Sequence, residues 1–174
     1  MIQDKEIIVS KKYVFLASVF WLISLVLLFF IYRFSLESAP VSTARSENFT
    51  NFVNNGLDLS FTEKFIRKGA HIFEYAALSL SLFFSIFFTN RVSVSTSFNA
   101  EKMRFIKSEN EFVIMITFWF SMLFALCDEY IQLYVDGRSG SVFDVLYDLI
   151  GVCFVLLFIR IVFSIYIFIM RKNS

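Results

Sequence analysis

Residues 128–151, DEYIQLYVDGRSGSVFDVLYDLIG, decide the fold. They crowd Asp128, Glu129, Asp136, Arg138, Asp144 and Asp148 between two apolar runs that read as membrane helices. An ionisable side chain at membrane depth costs about 2.5–3.5 kcal/mol on insertion scales, so such a cluster needs a compensating reason. A second charged helix entry, RKGAHIFEY at residues 67–75, reads as its counterpart.

The surrounding composition supports the membrane reading. Of 174 residues, 57% are hydrophobic, Phe occurs 25 times and Pro once, and mean hydropathy is +0.68. Soluble domains run at about 45–50% apolar and lack apolar stretches of about 20 residues. A net charge of +1 gives no basis for nucleic-acid binding. Cys127 and Cys153 both lie in apolar runs, without the spacing of a zinc site. The chain reads as one all-α integral membrane domain over residues 1–174, a bundle of four transmembrane helices.

In chain order, Lys5, Lys11 and Lys12 precede the uncharged run at 13–32, long enough to cross about 30 Å of hydrocarbon. It is too long for a signal-peptide core, and SLESAP is a poor cleavage site, so an uncleaved first span is expected. Residues 33–66 are polar. Within them, Phe49, Phe52, Val53 and Leu57 recur at helical spacing, with Ser46 as candidate cap and Gly56 as candidate end. The spacing fits an interfacial helix or a loop with a hydrophobic tack. The second span is expected over 70–88, a polar linker over 89–111 and the third span over 112–132. Gly137 and Gly140 break the chain before a fourth span at 142–165, which runs on toward Met170 and so tilts or protrudes. Arg160 within it is expected to snorkel to the nearer interface.

Lysine and arginine counts set the expected orientation. The N-terminus, the 89–111 linker and the C-terminal tail hold nine, against six (Arg33, Arg45, Lys64, Arg67, Lys68 and Arg138) in the opposite loops. Both termini are therefore expected in the cytoplasm and both charged clusters at the outer face.

On helices, residues three and four apart share a face. Lys68, His71 and Tyr75 form one stripe with Glu74 beside it; Asp128 and Gln132 form a second with Glu129 adjacent; Asp144, Asp148 and Gly151 form a third. Each lies at the same end of its span, so four spans bring them together. Arg67, Lys68 and Arg138 are the candidate counter-charges. The carboxylates outnumber them, so either some carboxyls are protonated or a cation joins them, and carboxylates with one imidazole suit a divalent metal. The expected site comprises Lys68, His71, Glu74, Tyr75, Asp128, Glu129, Gln132, Arg138, Asp144 and Asp148. His71, Glu129 and Asp144 are its catalytic candidates if it is catalytic. The same polar stripes could equally serve to hold the bundle together.

These motifs resemble a known family. RKGAHIFEYAAL at 67–78 is similar to the Lys-x-x-His-x-x-x-Tyr segment of VanZ-like proteins. Residues 128–151 are similar to that family's acidic pair, Gln, Gly-Arg turn and Asp- and Gly-bearing helix, and the resemblance covers roughly residues 30–160. It implies a bacterial inner-membrane protein connected with glycopeptide (teicoplanin) resistance or the cell envelope. The expected partners are the lipid bilayer and a lipid-linked envelope precursor or a lipoglycopeptide, without nucleic acid. No cofactor is implied, a divalent metal being the alternative raised by the carboxylates. A membrane hydrolase or transferase on a lipid-linked substrate, and a non-catalytic interaction protein, remain open beside it. In the hydrolase reading Glu129 or Asp144 is the base, His71 the acid or metal ligand, and Arg138 an anion clamp.

Overall fold

The structure is a computed structural model that describes residues 8–94 and 101–172. Lys5 and the side chains of Lys102, Arg104, Lys107 and Arg171, which enter the charge count above, lie outside the described residues. The described residues form five helices: α1 (Lys11–Ser35), α2 (Ala39–Leu57), α3 (Glu63–Thr89), α4 (Glu101–Gln132) and α5 (Val142–Lys172). Ile8–Val9 and Ser93–Val94 add one short antiparallel pairing beside the start of α1. Four helical segments are long and apolar enough to cross a membrane: Lys11–Ser35, Glu63–Thr89, Glu109–Gln132 and Val142–Met170. The protein is a multi-pass, all-α membrane protein.

The second span, α3, is central and packs on each of the other four helices. Its Tyr75, Leu78, Leu82 and Phe83 lie in the core with Val113 and Ala125 of α4 and Val145, Val152 and Leu156 of α5. Against α1 the contact is polar and close: Ser24 Oγ lies 2.8 Å from Ser81 Oγ and 3.2 Å from Ser85 Oγ. Small hydroxylated residues let membrane helices approach while their hydroxyls satisfy one another. Against α5 the approach is closer still, because a Cβ on Gly151 would run into the carbonyl oxygen of Ile72. The outward faces carry Leu22, Phe29, Trp119, Leu123, Phe154 and Phe158, all exposed. In a membrane these side chains meet lipid.

Three boundaries differ from the sequence expectation. Neither Ser46 nor Gly56 bounds α2, which begins at Ala39 behind the N-cap Ser38, with Pro at the start of the helix. Proline there has its backbone preset for a helix and lacks only a donor that would have no partner. The helix passes through Gly56 and ends at Asp58 in the left-handed conformation (φ 53°). Its buried residues are the polar Ser42 and Thr50, while Phe49, Phe52 and Leu57 are exposed. The interfacial-helix reading fits this outward apolar face. The second span starts earlier than Ala70, because Thr62 caps α3 through Phe65 N. The linker expected at 89–111 is shorter, since α4 already begins at Glu101.

Candidate functional site

One end of the bundle collects the C-terminus of α1, the start of α2, the first turns of α3 and α5, and the last turns of α4. The α4–α5 connection ties these pieces together. Gly137 adopts φ +73°, a conformation that side-chain-bearing residues rarely take. It turns the chain so that the Asp136 carbonyl accepts from Ala39 N at the head of α2 (3.2 Å). The next residue, Arg138, donates from Nη1 to the carbonyls of Phe34 (3.0 Å) and Ser35 (3.4 Å). The last carbonyls of a helix have no partner within it, and a guanidinium satisfies them and the negative end of the helix dipole at once. Burial pulls the Arg138 pKa below the ordinary guanidinium value, opposed by the nearby Asp128 carboxylate. On the other side of the turn, Ser141 N donates to Glu129 Oε2 at 2.7 Å, which fixes the entry into α5.

The three polar stripes do converge. Asp128 accepts from Ser35 Oγ of α1 and from Gln132 Nε2 at 3.4 Å; Gln132 Nε2 is also 3.4 Å from Glu129 Oε1. His71 Nδ1 of α3 stands 3.2 Å from Asp148 Oδ1 of α5, close enough for an ion pair yet not aligned as a hydrogen bond. One donor atom each from His71, Asp128 and Asp148 lie within 4.8 Å of one another. Tyr75, a turn beyond His71, is completely buried, and its hydroxyl has no partner among the described residues.

The expected counter-charges are placed differently from the sequence reading. Lys68 Nζ turns to Tyr147, meeting its hydroxyl at 2.7 Å and lying 4.0 Å from the ring centroid. Arg138 goes to backbone carbonyls, as above. Neither forms an ion pair with a carboxylate among the described residues. The amphipathic ring of Tyr147 offers a π face and a hydroxyl together, and Arg138 directs its Nη1 to the carbonyls at the end of α1. Asp144 sits in the first turn of α5, half-buried, a place where the helix dipole favours an acid. It makes no side-chain hydrogen bond among the described residues.

Beside His71 a cleft of about 600 Å³ opens between α1, α2, α3 and α4. Phe34, Phe49, Phe65 and Phe73 give it an apolar wall, and Arg45, Arg67 and Arg138 a cationic one. Glu74, His71 and Asp128 reach it from below. Arg45 is braced, 2.9 Å from Glu37 Oε2 and 4.1 Å from the Phe34 ring centroid. Arg67 is exposed. Ser35, Arg45, Ser141 and Tyr147 escaped the sequence reading. Only Ser35, one turn from Tyr32 and Ile31 on the first span's inner edge, left a trace of helical spacing.

A family model described as VanZ/LLP1 matches residues 16–164, which covers both motifs and every residue of the cluster. The chain belongs to the VanZ/LLP1 family. No curated protein and no solved structure matches it. For this VanZ/LLP1 protein, the cleft lined by His71 and Asp128, with Asp148 buried behind His71, is the candidate functional site.

Proposed function

We propose that this VanZ/LLP1 protein sits in the bacterial inner membrane with its cleft at the outer leaflet, where it binds an anionic, lipid-tailed envelope ligand. That ligand is a lipid-linked precursor or a lipoglycopeptide such as teicoplanin. The observation that carries the reading is the cleft's two-sided lining: four phenylalanines for an acyl chain and three arginines for an anionic head. Arginine suits that task because its planar donors match carboxylate and phosphate oxygens in pairs. Teicoplanin bears an acyl chain and vancomycin does not, so such a cleft distinguishes them. The basic-residue balance supports both termini inside; alkaline phosphatase fused after residue 140 is then active, and a fusion active only in the cytoplasm reverses the orientation.

The test is drug susceptibility of a Gram-positive host expressing wild type or the Arg45→Ala/Arg67→Ala variant at equal membrane levels. Wild type is expected to protect against teicoplanin and not vancomycin, and the variant to lose that protection. Equal protection against both drugs removes the acyl-chain argument. Protection against neither, together with no photo-crosslinking of a lipid-linked precursor, removes the ligand class altogether.

A second reading, a hydrolase or transferase on the same ligand, is favoured by His71, at the cleft, standing 3.2 Å from the buried Asp148 carboxylate. An imidazole beside a carboxylate is a group able to do general acid–base work. Asp128 and Asp148 are the carboxylates clustered with His71, while Glu129 accepts from Ser141 N, which supports the two aspartates as its partners in this reading. Under this reading His71→Gln abolishes turnover of a lipid-linked substrate while ligand crosslinking persists.

A further inference from the structure

Asp128 and Asp148 are 1% and 0% exposed, and no lysine or arginine pairs with either among the described residues. Burying one carboxylate without compensation is costly, and burying two side by side is costlier because like charges repel. The single imidazole supplies at most one positive charge. The hydrogen bonding is also incomplete: both Asp148 oxygens, His71 Nδ1 and the Tyr75 hydroxyl have no hydrogen-bond partner among the described residues. Buried polar atoms are nearly always satisfied, so four orphans around one point mark a missing partner.

We propose that His71, Asp128 and Asp148 hold a divalent transition-metal ion, of the zinc or manganese kind, beside the cleft. Their donor atoms, within 4.8 Å of one another, need only small side-chain rotations to surround an ion with bonds of about 2.0–2.2 Å. Two carboxylates and one imidazole form a mixed oxygen–nitrogen set that suits such metals. The charge closes as well, since a dication balances two carboxylates and leaves the histidine neutral, as a ligand must be. The outer partners are in place: Ser35 and Gln132 hold Asp128, as second-layer hydrogen bonds do for metal-ligating carboxylates. Three protein donors leave a coordination position, and the partly exposed His71 side chain (19%) marks the side open to the cleft. The ion's assignment does not depend on which ligand the cleft takes.

The test uses the full-length chain in nanodiscs, stripped with EDTA and exposed separately to ZnCl2 and MnCl2. Bound metal is measured by mass spectrometry, affinity by calorimetry and helicity by circular dichroism. One ion per chain is expected for wild type and for Glu111→Gln, which removes a carboxylate at the opposite end of the bundle. Asp148→Asn and His71→Gln should weaken binding by at least about a hundred-fold, the upper end of what losing an outer partner costs. A stripped, fully helical wild type that takes up neither ion overturns the proposal, and that measurement needs no variant to fold. Uptake unchanged in folded Asp148→Asn overturns it too.

Discussion

His71 approaches Asp148 to 3.2 Å at one end of the bundle, and Arg160 approaches Glu111 to 3.2 Å at the other. The separations match and the settings are opposite. Side chains of the first pair are 19% and 0% exposed, those of the second 58% and 42%. Arg160 lies 18 residues into α5, a rise of about 27 Å that puts it at the end of the bundle away from His71, with Glu111 beside it. An exposed pair of this kind contributes about 0–1 kcal/mol, whatever its length. At the buried end two acids compete for one histidine, and distance alone says nothing of what that costs. Environment separates a surface ornament from a site.

The largest expected effect comes from breaking the buried end mechanically. Gly151→Val pushes side-chain carbons against the Ile72 backbone, where neither helix can yield by rotating a side chain. A loss of about 3 kcal/mol, the top of the usual overpacking range, is expected in detergent unfolding, and a variant as stable as wild type refutes the close α3–α5 approach.

Metal removal comes next. At a free ion concentration about 100 times the dissociation constant, binding adds about 2.7 kcal/mol of stability. EDTA should lower the unfolding midpoint of wild type accordingly and leave Asp148→Asn unmoved. In the stripped state Asp148→Asn should melt no lower than wild type, because it removes one of two repelling carboxylates.

Arg138→Ala should cost about 1–3 kcal/mol, the range for hydrogen bonds from a charged donor to partners that are then left bare. Hydrogen exchange at the last turn of α1 should rise selectively; uniform protection would show that the guanidinium is not what closes that helix. The smallest effect belongs to the exposed pair. Glu111→Gln should shift stability by less than about 1 kcal/mol, and raising salt from about 0.05 to 0.5 M should erase the difference. A shift that persists in high salt would place Arg160 in a drier setting than its exposure indicates.

The spans were legible because length and apolarity are one-dimensional properties: the run at 13–32 can hardly be anything else. The convergence of Asp128, His71 and Asp148 was legible for a related reason, since helical spacing fixes the face and span ends fix the depth. Lys68 was misjudged because charge pairing is decided by reach in three dimensions. Tyr147, between two aspartates, reads as a lipid-facing aromatic, and nothing in the sequence shows its hydroxyl meeting Lys68. The start of α2 was hidden for another reason. Ser, Asn and Thr compete locally with helix formation, and only the position of the chain's one proline marked where the helix begins.

The guanidinium of Arg138 reaches across 104 residues of sequence to the carbonyl of Phe34. At about 5–20 residues per second of synthesis, α1 waits about 5–20 s in the membrane with only its local Leu36 and Glu37 cap before the guanidinium joins it. Throughout that interval the Phe34 carbonyl has Glu37 N as its partner and the Ser35 carbonyl lacks its guanidinium, which favours holding that end of the nascent helix at the water boundary while the second and third spans insert. A ribosome stalled before residue 138 leaves three spans whose first helix still lacks the partner of its Ser35 carbonyl. The last part of the site to be translated is the part that closes the first helix.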